Sequence, residues 1–404
     1  MMPKHGYNKK YATFATHYGS IDQEFIVPGT DHRLRVPDGI AHFLEHKLFE
    51  EEYGNAFDRF SQLGASANAY TNYTTTVYLF SSTDNFYESL NLLLDFVQHP
   101  YFTEESVQKE KSIIQQELRM YEDTPGWKVF SNLLKSMYYH YPVRIDIGGT
   151  VESIQQINID YLEKCYRTFY HPSNMSVFVV GDLDPAAVVG AVRNNIESRG
   201  YQPQGEIKRL FPEEPVEVKR KFIEERMVVS QPILYIGFKD REIGFTGANL
   251  LAKEVVTNLL MEILLGRSSS LYADLYEEGL IDDRFSTQFM GHKDYGLTVI
   301  GGETKDPDRL KERILQGIER FQATGLDEKS FHRMHRKLVG EFVGLFNSPE
   351  DIAYVYNEYH FKGVNILDYL KILENITIDQ VEQRLHSHLD PANMVISVVR
   401  PIED

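Results

Sequence analysis

The segment GIAHFLEHKLFEE, residues 39–51, holds two histidines four residues apart, His42 and His46, with Glu45 between them. A Pro-Asp pair precedes it and apolar residues recur along it, so the pattern predicts a helix. Residues four apart lie on one face of a helix, where two imidazoles can bind one metal ion. A neighbouring carboxylate can accept a proton from metal-activated water. The spacing is typical of a zinc hydrolase; the alternative is a helix whose histidines bond only water or carbonyl groups.

A catalytic zinc site needs a third protein ligand, and the segment QKEKSIIQQELRMYED, residues 108–123, offers Glu110 and Glu117. The two glutamates are seven residues apart, which places them two turns apart on one face of a predicted helix. Ile113 and Ile114 lie between them. A pair of carboxylates that faces the protein interior is unusual unless it pairs with a cation or a metal. The alternative is a solvated acidic stripe, because further acidic residues follow.

The segment GASANAYTNYTTTVYLF, residues 64–80, predicts a strand with small side chains at Ala65, Ala67 and Ala69. A strand of this kind at the edge of a sheet can accept an extended peptide as one further strand. The alternative is a strand without any contact to substrate.

The composition excludes several classes of protein. The 404 residues are 42% hydrophobic and 25% charged, with a net charge of −17, so a nucleic-acid-binding protein is not expected. The single cysteine, Cys165, indicates a reducing compartment. No motif surrounds it, so we interpret it as a small, semi-buried residue and not as a nucleophile. We find no apolar run long enough for a membrane span and no signal peptide. We therefore predict a cytoplasmic protein without a membrane partner.

An internal repeat divides the chain. The segment from Ile157, INIDYLEKCYRTFYHPSNMSVFVVGD, matches the segment from Ile376, ITIDQVEQRLHSHLDPANMVISVVRP. The segment from Phe102 is similar to that from Leu326. The sequence therefore predicts an α+β protein of two homologous halves, each a mostly antiparallel sheet packed with helices. We place the halves at residues 1–200 and 222–404, with a linker at 201–221. The counterpart of the histidine helix, near VVTNLLMEILLG, has no histidine, so only the first half is predicted to be catalytic.

The sequence resembles the insulinase/pitrilysin family of inverzincin (HxxEH) metallopeptidases, which includes the mitochondrial processing peptidases. The resemblance rests on four segments in this order: AHFLEHKLFEE, LGASANAYTNYTTTVYLF, EKSIIQQE and the HPSNM turn. The resemblance implies that His42, His46 and Glu117 bind one zinc ion per chain. It implies that Glu45 is the general base and that Glu110 orients a ligand histidine.

The resemblance also implies a zinc endopeptidase acting on peptides or unfolded segments, with Asn68 and Ala69 in contact with the substrate. A non-catalytic structural subunit and a peptide-binding module that does not cleave are the alternatives. Family members usually have a further strand before the one that begins near Tyr11. Only about ten residues precede that strand here, and the sequence does not decide whether the first sheet contains the further strand.

One departure from the family pattern concerns the partner. The family carries an Arg and a Tyr in a second-half segment similar to L-R-E-x-x-G-L-x-Y, and these side chains hold the substrate and its oxyanion. The matching segment, LYADLYEEGLIDDRFS, places Tyr276 at the Arg position and Asp282 or Asp283 near the Tyr position. Arg284 has the wrong spacing to substitute. We therefore predict a heterodimer with a related chain that supplies the Arg and the Tyr, with a homodimer as the alternative.

Overall fold

The computed structural model describes residues 1–52 and 54–402, and the fold consists of mixed sheets packed with helices. The strands are β1 (Met2–Pro3), β2 (Lys10–Thr16), β3 (Glu24–Ile26), β4 (Arg33–Arg35), β5 (Glu50–Glu51), β6 (Gly54–Asn55), β7 (Ser66–Thr71), β8 (Thr76–Ser82), β9 (Met175–Gly181), β10 (Lys208–Arg209), β11 (Phe222–Met227), β12 (Ile233–Lys239), β13 (Ser286–Gly291), β14 (Gly296–Glu303) and β15 (Met394–Pro401). The helices are α1 (Ile40–Leu48), α2 (Ala56–Gln62), α3 (Phe86–Val97), α4 (Glu104–Glu122), α5 (Pro125–Met137), α6 (Val151–Gln156), α7 (Ile159–Phe169), α8 (Pro185–Glu197), α9 (Gly247–Leu265), α10 (Ser270–Glu277), α11 (Pro307–Thr324), α12 (Glu328–Leu345), α13 (Pro349–His360), α14 (Tyr369–Glu374) and α15 (Ile378–His388).

Two five-stranded sheets share one topology. The first has the order β1-β9-β2-β8-β7 and the second the order β11-β15-β12-β14-β13. In each sheet the first pair of strands is parallel and the other pairs are antiparallel. The repeated helix–turn–strand segments are α7 with β9 and α15 with β15. The predicted α+β fold of two homologous halves is confirmed.

The two compact units are not two continuous halves of the chain. The first unit consists of Met1–Met120, Tyr141–Pro212 and Phe346–Phe361. The second consists of Tyr121–His140, Glu213–Leu345 and the described residues from Lys362 onward. The single break that we placed at residues 201–221 remains a prediction about the repeat. Each unit additionally contains one helix from the other half of the sequence.

The first unit includes α13, which packs on the first sheet. The ring of Tyr356 stacks on Phe178 of β9 with 3.8 Å between ring centroids. The side chain of Asn357 donates a hydrogen bond of 3.1 Å to Thr13 Oγ1 on β2. Ile352 is buried in the same cluster of apolar residues as Phe178. These contacts explain why residues 346–361 belong to the first unit.

The second unit includes α5, which packs on the second sheet. Val129 of α5 is buried with Ile233 of β12 and Val399 of β15. A Cβ atom at Gly237 of β12 would lie 2.7 Å from the terminal methyl group of Met137, so the helix and the strand are in close contact there. The tight fit requires a residue without a side chain on β12.

The outermost parallel strand of the first sheet is short. β1 comprises two residues, whereas its counterpart β11 comprises six. The question that the sequence left open is answered for the described residues, because a short strand does precede β2 and pairs with β9. Within the described residues, no helix combines the length and apolar character that crossing a membrane requires.

Burial on one side determines the orientation of α1. Ile40, Phe43, Leu44 and Leu48 are buried in the core of the first unit. Their spacing follows one face of a helix and leaves the histidines on an adjacent face. The helix begins after Gly39, which has a φ of 86°, a left-handed conformation that favours glycine. The predicted start at the Pro-Asp pair is thus two to three residues too early.

Gly39 also makes a close backbone contact, and this contact generates a stability prediction. A Cβ atom at Gly39 would lie 2.2 Å from the carbonyl oxygen of Gly148, whereas Gly29 has a φ of 78° and no atom within 4 Å of the corresponding position. We expect Gly29→Ala to lower the free energy of unfolding by about 1 kcal/mol, the cost of the backbone conformation alone. Gly39→Ala should cost about 3 kcal/mol or more, because the backbone must also move. Denaturant unfolding of both variants measures the difference, and equal losses would contradict the close contact.

Candidate active site

The structure brings the predicted ligands together. His42 and His46 lie on one face of α1 with their ring centroids 4.5 Å apart. Nε2 of His42 is 3.8 Å from one carboxylate oxygen of Glu117, and Nε2 of His46 is 3.7 Å from the other. One ligand atom from each residue lies within 4.8 Å of the ligand atoms of the other two. Three donors at these distances can surround a single ion.

The pattern of burial on α4 places the carboxylates. Val107, Ile114 and Leu118 are buried along one side of this helix. Glu110 and Glu117 each lie close to that buried side, so their side chains are largely covered without entering the core. The sequence spacing of seven residues therefore leads to two half-buried carboxylates two turns apart, as the helical pattern predicts.

Glu110 forms a hydrogen bond with the ring nitrogen of His46 that is not turned to Glu117. Its Oε1 atom lies 3.0 Å from Nδ1 of His46. With a proton on Nδ1, the imidazole donates to this carboxylate and keeps a lone pair on Nε2, the nitrogen that faces Glu117. The hydrogen bond therefore fixes both the orientation and the tautomer of the ring, as carboxylates that bond the ligand histidines of zinc sites do.

Glu45 points to the strand β7. The carboxylate is 8% exposed, and its Oε2 atom accepts a hydrogen bond of 2.6 Å from the hydroxyl group of Thr71. Thr71 is the last residue of β7, so this hydrogen bond connects α1 to the edge strand. Thr71 is not among the site residues predicted from the sequence, because nothing in the sequence indicates which hydroxyl group of a threonine-rich turn reaches Glu45.

The environment shifts the pKa values of these groups in different directions. Burial lowers the pKa of His42 to about 3, so its imidazole is neutral and can donate a lone pair. Burial also lowers the pKa of His46, but the hydrogen bond with Glu110 and the nearby carboxylates outweigh this effect and raise it. Burial raises the pKa of Glu45, opposed by the hydrogen bond from Thr71. The site thus combines a neutral imidazole at His42 with an imidazole at His46 whose pKa the surrounding carboxylates raise.

This donor set fits a zinc ion. Two imidazoles and one carboxylate form a known three-ligand set of catalytic zinc sites, which leave a fourth position open. The excess of carboxylates favours a divalent cation over none. The residues present therefore fit the metal that the sequence predicts.

The predicted substrate residues lie on an exposed edge. β7 is the last strand of the first sheet, and it pairs with β8 on one side only. Asn68 is exposed, and its side-chain oxygen accepts a hydrogen bond of 2.9 Å from the backbone N–H of Ala69. A peptide that pairs with this edge at Ala69 would have to replace that hydrogen bond with one to its own backbone. The prediction of an edge strand agrees with this topology.

The corresponding region of the second unit has a different charge arrangement. Glu341, the counterpart of Glu117 in the repeat, lies 3.3 Å from Lys337, which also binds Glu262 at 2.7 Å. Glu262 is on α9, in the segment where the counterpart of the histidine helix was expected. An ammonium group thus occupies the position between the two carboxylates, and we find no group of metal ligands among the described residues there.

Arg284 is held by carboxylates of its own unit. Its guanidinium group binds Asp282 at 2.6 Å and Glu303 at 2.7 Å, and these hydrogen bonds raise its pKa. Tyr276, at the position expected for an arginine, is 55% exposed on α10. The segment therefore presents a phenol and an acidic surface, with its one arginine paired locally.

Two family models match the chain. One, described as Insulinase (Peptidase family M16), matches residues 35–151, and one described as Peptidase M16 inactive domain matches residues 156–338. The first includes the histidines of α1 and the glutamates of α4. The second includes most of the unit in which no group of metal ligands is found among the described residues.

Named relatives extend over nearly the whole chain. The uncharacterized zinc protease YmfH of Bacillus subtilis (strain 168) is 45% identical over 401 residues, 99% of this chain and 94% of the relative. A probable mitochondrial-processing peptidase subunit beta of Arabidopsis thaliana is 24% identical over 390 residues, 91% of this chain and 71% of that protein.

Solved structures share the fold. A crystal structure of an M16-like peptidase from Alicyclobacillus acidocaldarius aligns with a TM-score of 0.96 and 37% identity, over 99% of this chain and 95% of that one. Pitrilysin aligns with a TM-score of 0.74 and 16% identity over 100% of this chain but only 43% of its own, which shows a common fold. On the sequence matches and the shared architecture, the chain belongs to the insulinase/pitrilysin family, peptidase family M16.

Proposed function

We propose that this protein is a zinc-dependent endopeptidase that hydrolyses peptides or unfolded protein segments. The observation that carries the proposal is the convergence of His42, His46 and Glu117 next to the buried carboxylate of Glu45. A zinc ion held by these ligands would lower the pKa of a water molecule towards ~7 and polarise the scissile carbonyl group.

Glu45 has the position of a general base. Thr71 donates to Oε2, so this oxygen is already engaged, and Oε1 is left to accept the proton of the attacking water. The same carboxyl group then donates that proton to the leaving amine, because amide hydrolysis needs both transfers. The hydrogen bond from Thr71 keeps the carboxylate oriented during both steps.

The edge of β7 has the position of a substrate-binding strand. An extended peptide that pairs with this edge forms backbone hydrogen bonds that do not depend on its sequence. Because Thr71 both ends β7 and binds Glu45, a peptide on this edge passes directly beside the general base. Asn68 and Ala69 would contact the peptide backbone in this arrangement. Cleavage of varied unfolded segments follows from such binding.

The alternative is a structural or peptide-binding subunit that does not cleave. The complete set of two histidines, Glu117 and Glu45 argues against it, since a subunit without catalysis has no need for a general base at a metal site. Zinc stoichiometry combined with a peptide turnover assay separates the alternatives.

Removal of one ligand tests the metal site. Glu117→Ala leaves two protein ligands, so we expect zinc content to fall from about one ion per chain to a small fraction of that value. Glu341→Ala, at the repeat-equivalent position, is the matched control and should leave zinc content unchanged. Elemental analysis after dialysis measures both. Equal loss in the two variants, or loss in neither, would show that the site is misassigned.

Removal of the base tests the mechanism. Glu45→Gln keeps all three ligands, so zinc content should stay near one ion per chain. Peptide turnover should fall by at least ~100-fold, because the amide cannot accept the proton. Turnover of an unstructured fluorogenic peptide, measured alongside zinc content, checks both parts. A variant with normal turnover would be incompatible with this role of Glu45.

The second half of the chain generates a prediction about a partner. A site without a nearby donor for the developing oxyanion is a poor catalyst, and Arg284 is bound to Asp282 and Glu303. We expect the purified chain to bind zinc but to cleave peptides slowly. Addition of a related chain with Arg and Tyr at the corresponding positions should restore turnover, and mutation of that arginine should abolish it. Full activity of the single chain, unaffected by such a partner, would refute the heterodimer.

A further inference from the structure

The two faces of β7 have different surroundings. Thr71 points to Glu45, and Ala69 is paired across the strands with Tyr78, whose ring is buried in the core of the first unit. Since side chains alternate along a strand, Tyr70 points to the opposite face of the sheet. A peptide that extends the sheet at β7 has the same alternation. Every second side chain of the peptide therefore points away from Glu45.

Helix α13 covers this opposite face, and one side of it is turned to the edge. Tyr356 lies over β9 and Asn357 over β2, the inner strands of the sheet. Tyr354 lies on the other side of α13, where its ring centroid is 6.1 Å from that of Tyr70 with an angle of 43° between the rings. Tyr354 is 57% exposed. An exposed aromatic ring thus lies beside the edge strand, on the face away from the metal ligands.

We propose that Tyr354 and Tyr70 form a specificity subsite that takes a large apolar, preferably aromatic, side chain of the bound peptide. This inference rests on the proposed function, because it requires a peptide paired with β7. An added strand lies about 4.8 Å from β7, and side chains directly opposite one another on one face are about 5 Å apart. The peptide residue opposite Tyr70 therefore meets that ring from the side, and the far end of a long aromatic side chain can extend towards the exposed ring of Tyr354. Contact of an aromatic side chain with aromatic rings is favourable beyond its buried area alone.

A neighbouring carboxylate defines the competing occupant. Glu358 lies one turn after Tyr354 on the same side of α13, where it is half-buried, and together with burial it contributes to the raised pKa of Tyr70. A carboxylate next to two tyrosine rings can also attract an arginine or lysine side chain. The large exposed surface of the subsite belongs to the ring of Tyr354, so an apolar occupant has the greater contact. Glu358→Gln distinguishes the two classes.

The test measures binding in the full-length Glu45→Gln variant, which does not consume the peptide. Short fluorescein-labelled alanine-based peptides carry a single Phe that is moved along the sequence, and their affinities are measured by fluorescence anisotropy. We expect Phe to increase affinity at alternate positions. Adding Tyr354→Ala should reduce this gain by about 5- to 10-fold and leave the all-alanine peptide within about 2-fold. Tyr354→Phe should restore the gain, because it retains the ring.

Controls separate this inference from the proposed function and from misfolding. Tyr201→Ala, at another exposed tyrosine of the first unit, should leave the Phe preference unchanged. An unchanged Phe preference in Tyr354→Ala, or an equal loss for every peptide, would overturn the subsite while wild-type turnover still supports the peptidase. A preference for Arg over Phe that Glu358→Gln removes would overturn the apolar assignment. The absence of binding by every peptide would overturn the edge-strand mode itself.

Discussion

Three carboxylates share one small, partly covered volume in the first unit, and their negative charges must be balanced there. Glu45, Glu110 and Glu117 all act on His46, whose pKa they raise against the effect of burial. Removal of charged groups from water is costly unless opposite charge is close. A divalent cation bound by the two ring nitrogens and Glu117 would balance these charges at a single position. The glycine at the start of α1, the apolar side of α4 and the hydrogen bond between Glu110 and His46 all serve to bring these groups to that centre.

The second unit has the same strand order, but its carboxylates at the corresponding place pair with a lysine of the same chain. Lys337 lies close to both Glu262 and Glu341, so an ammonium group of the chain itself offsets part of their negative charge. A positive charge at this position disfavours the binding of a metal cation. The comparison of the two units shows how little of the scaffold must change to remove the chemistry: the histidines are absent and one cation is supplied by the chain.

The sequence predicts the local parts of this protein well. The helix with His42 and His46, the seven-residue spacing of the glutamates and the small-residue strand all depend on short-range periodicity, which burial then enforces. The order of the repeats also follows from the sequence. The hydrogen bond from Thr71 to Glu45 does not follow from the sequence, since several threonines lie close together in this segment and any of them could be the donor.

The periodicity of the sequence also does not reveal that α5 belongs to the second unit and α13 to the first. Asn357 binds Thr13 across 344 positions, and Val129, from the first half of the sequence, packs with Val399 in the second unit. The helices α5 and α13 have ordinary amphipathic patterns, which specify a buried face but not the sheet that covers it. The boundaries inferred from the repeat therefore remain a prediction, and they do not indicate which sheet each of these two helices covers.

The exchange of α5 and α13 has a consequence for how such a protein can change over time. A polypeptide that ended at the linker would lose Pro349–His360 and leave Phe178 and Val180 of the first sheet without their cover. The second sheet would likewise lose the helix that packs on Ile233 if the first 200 residues were removed. Division of the gene between the halves would therefore expose apolar surface on both sheets at once. Neither half of the sequence alone contains all of the residues that bury its own sheet.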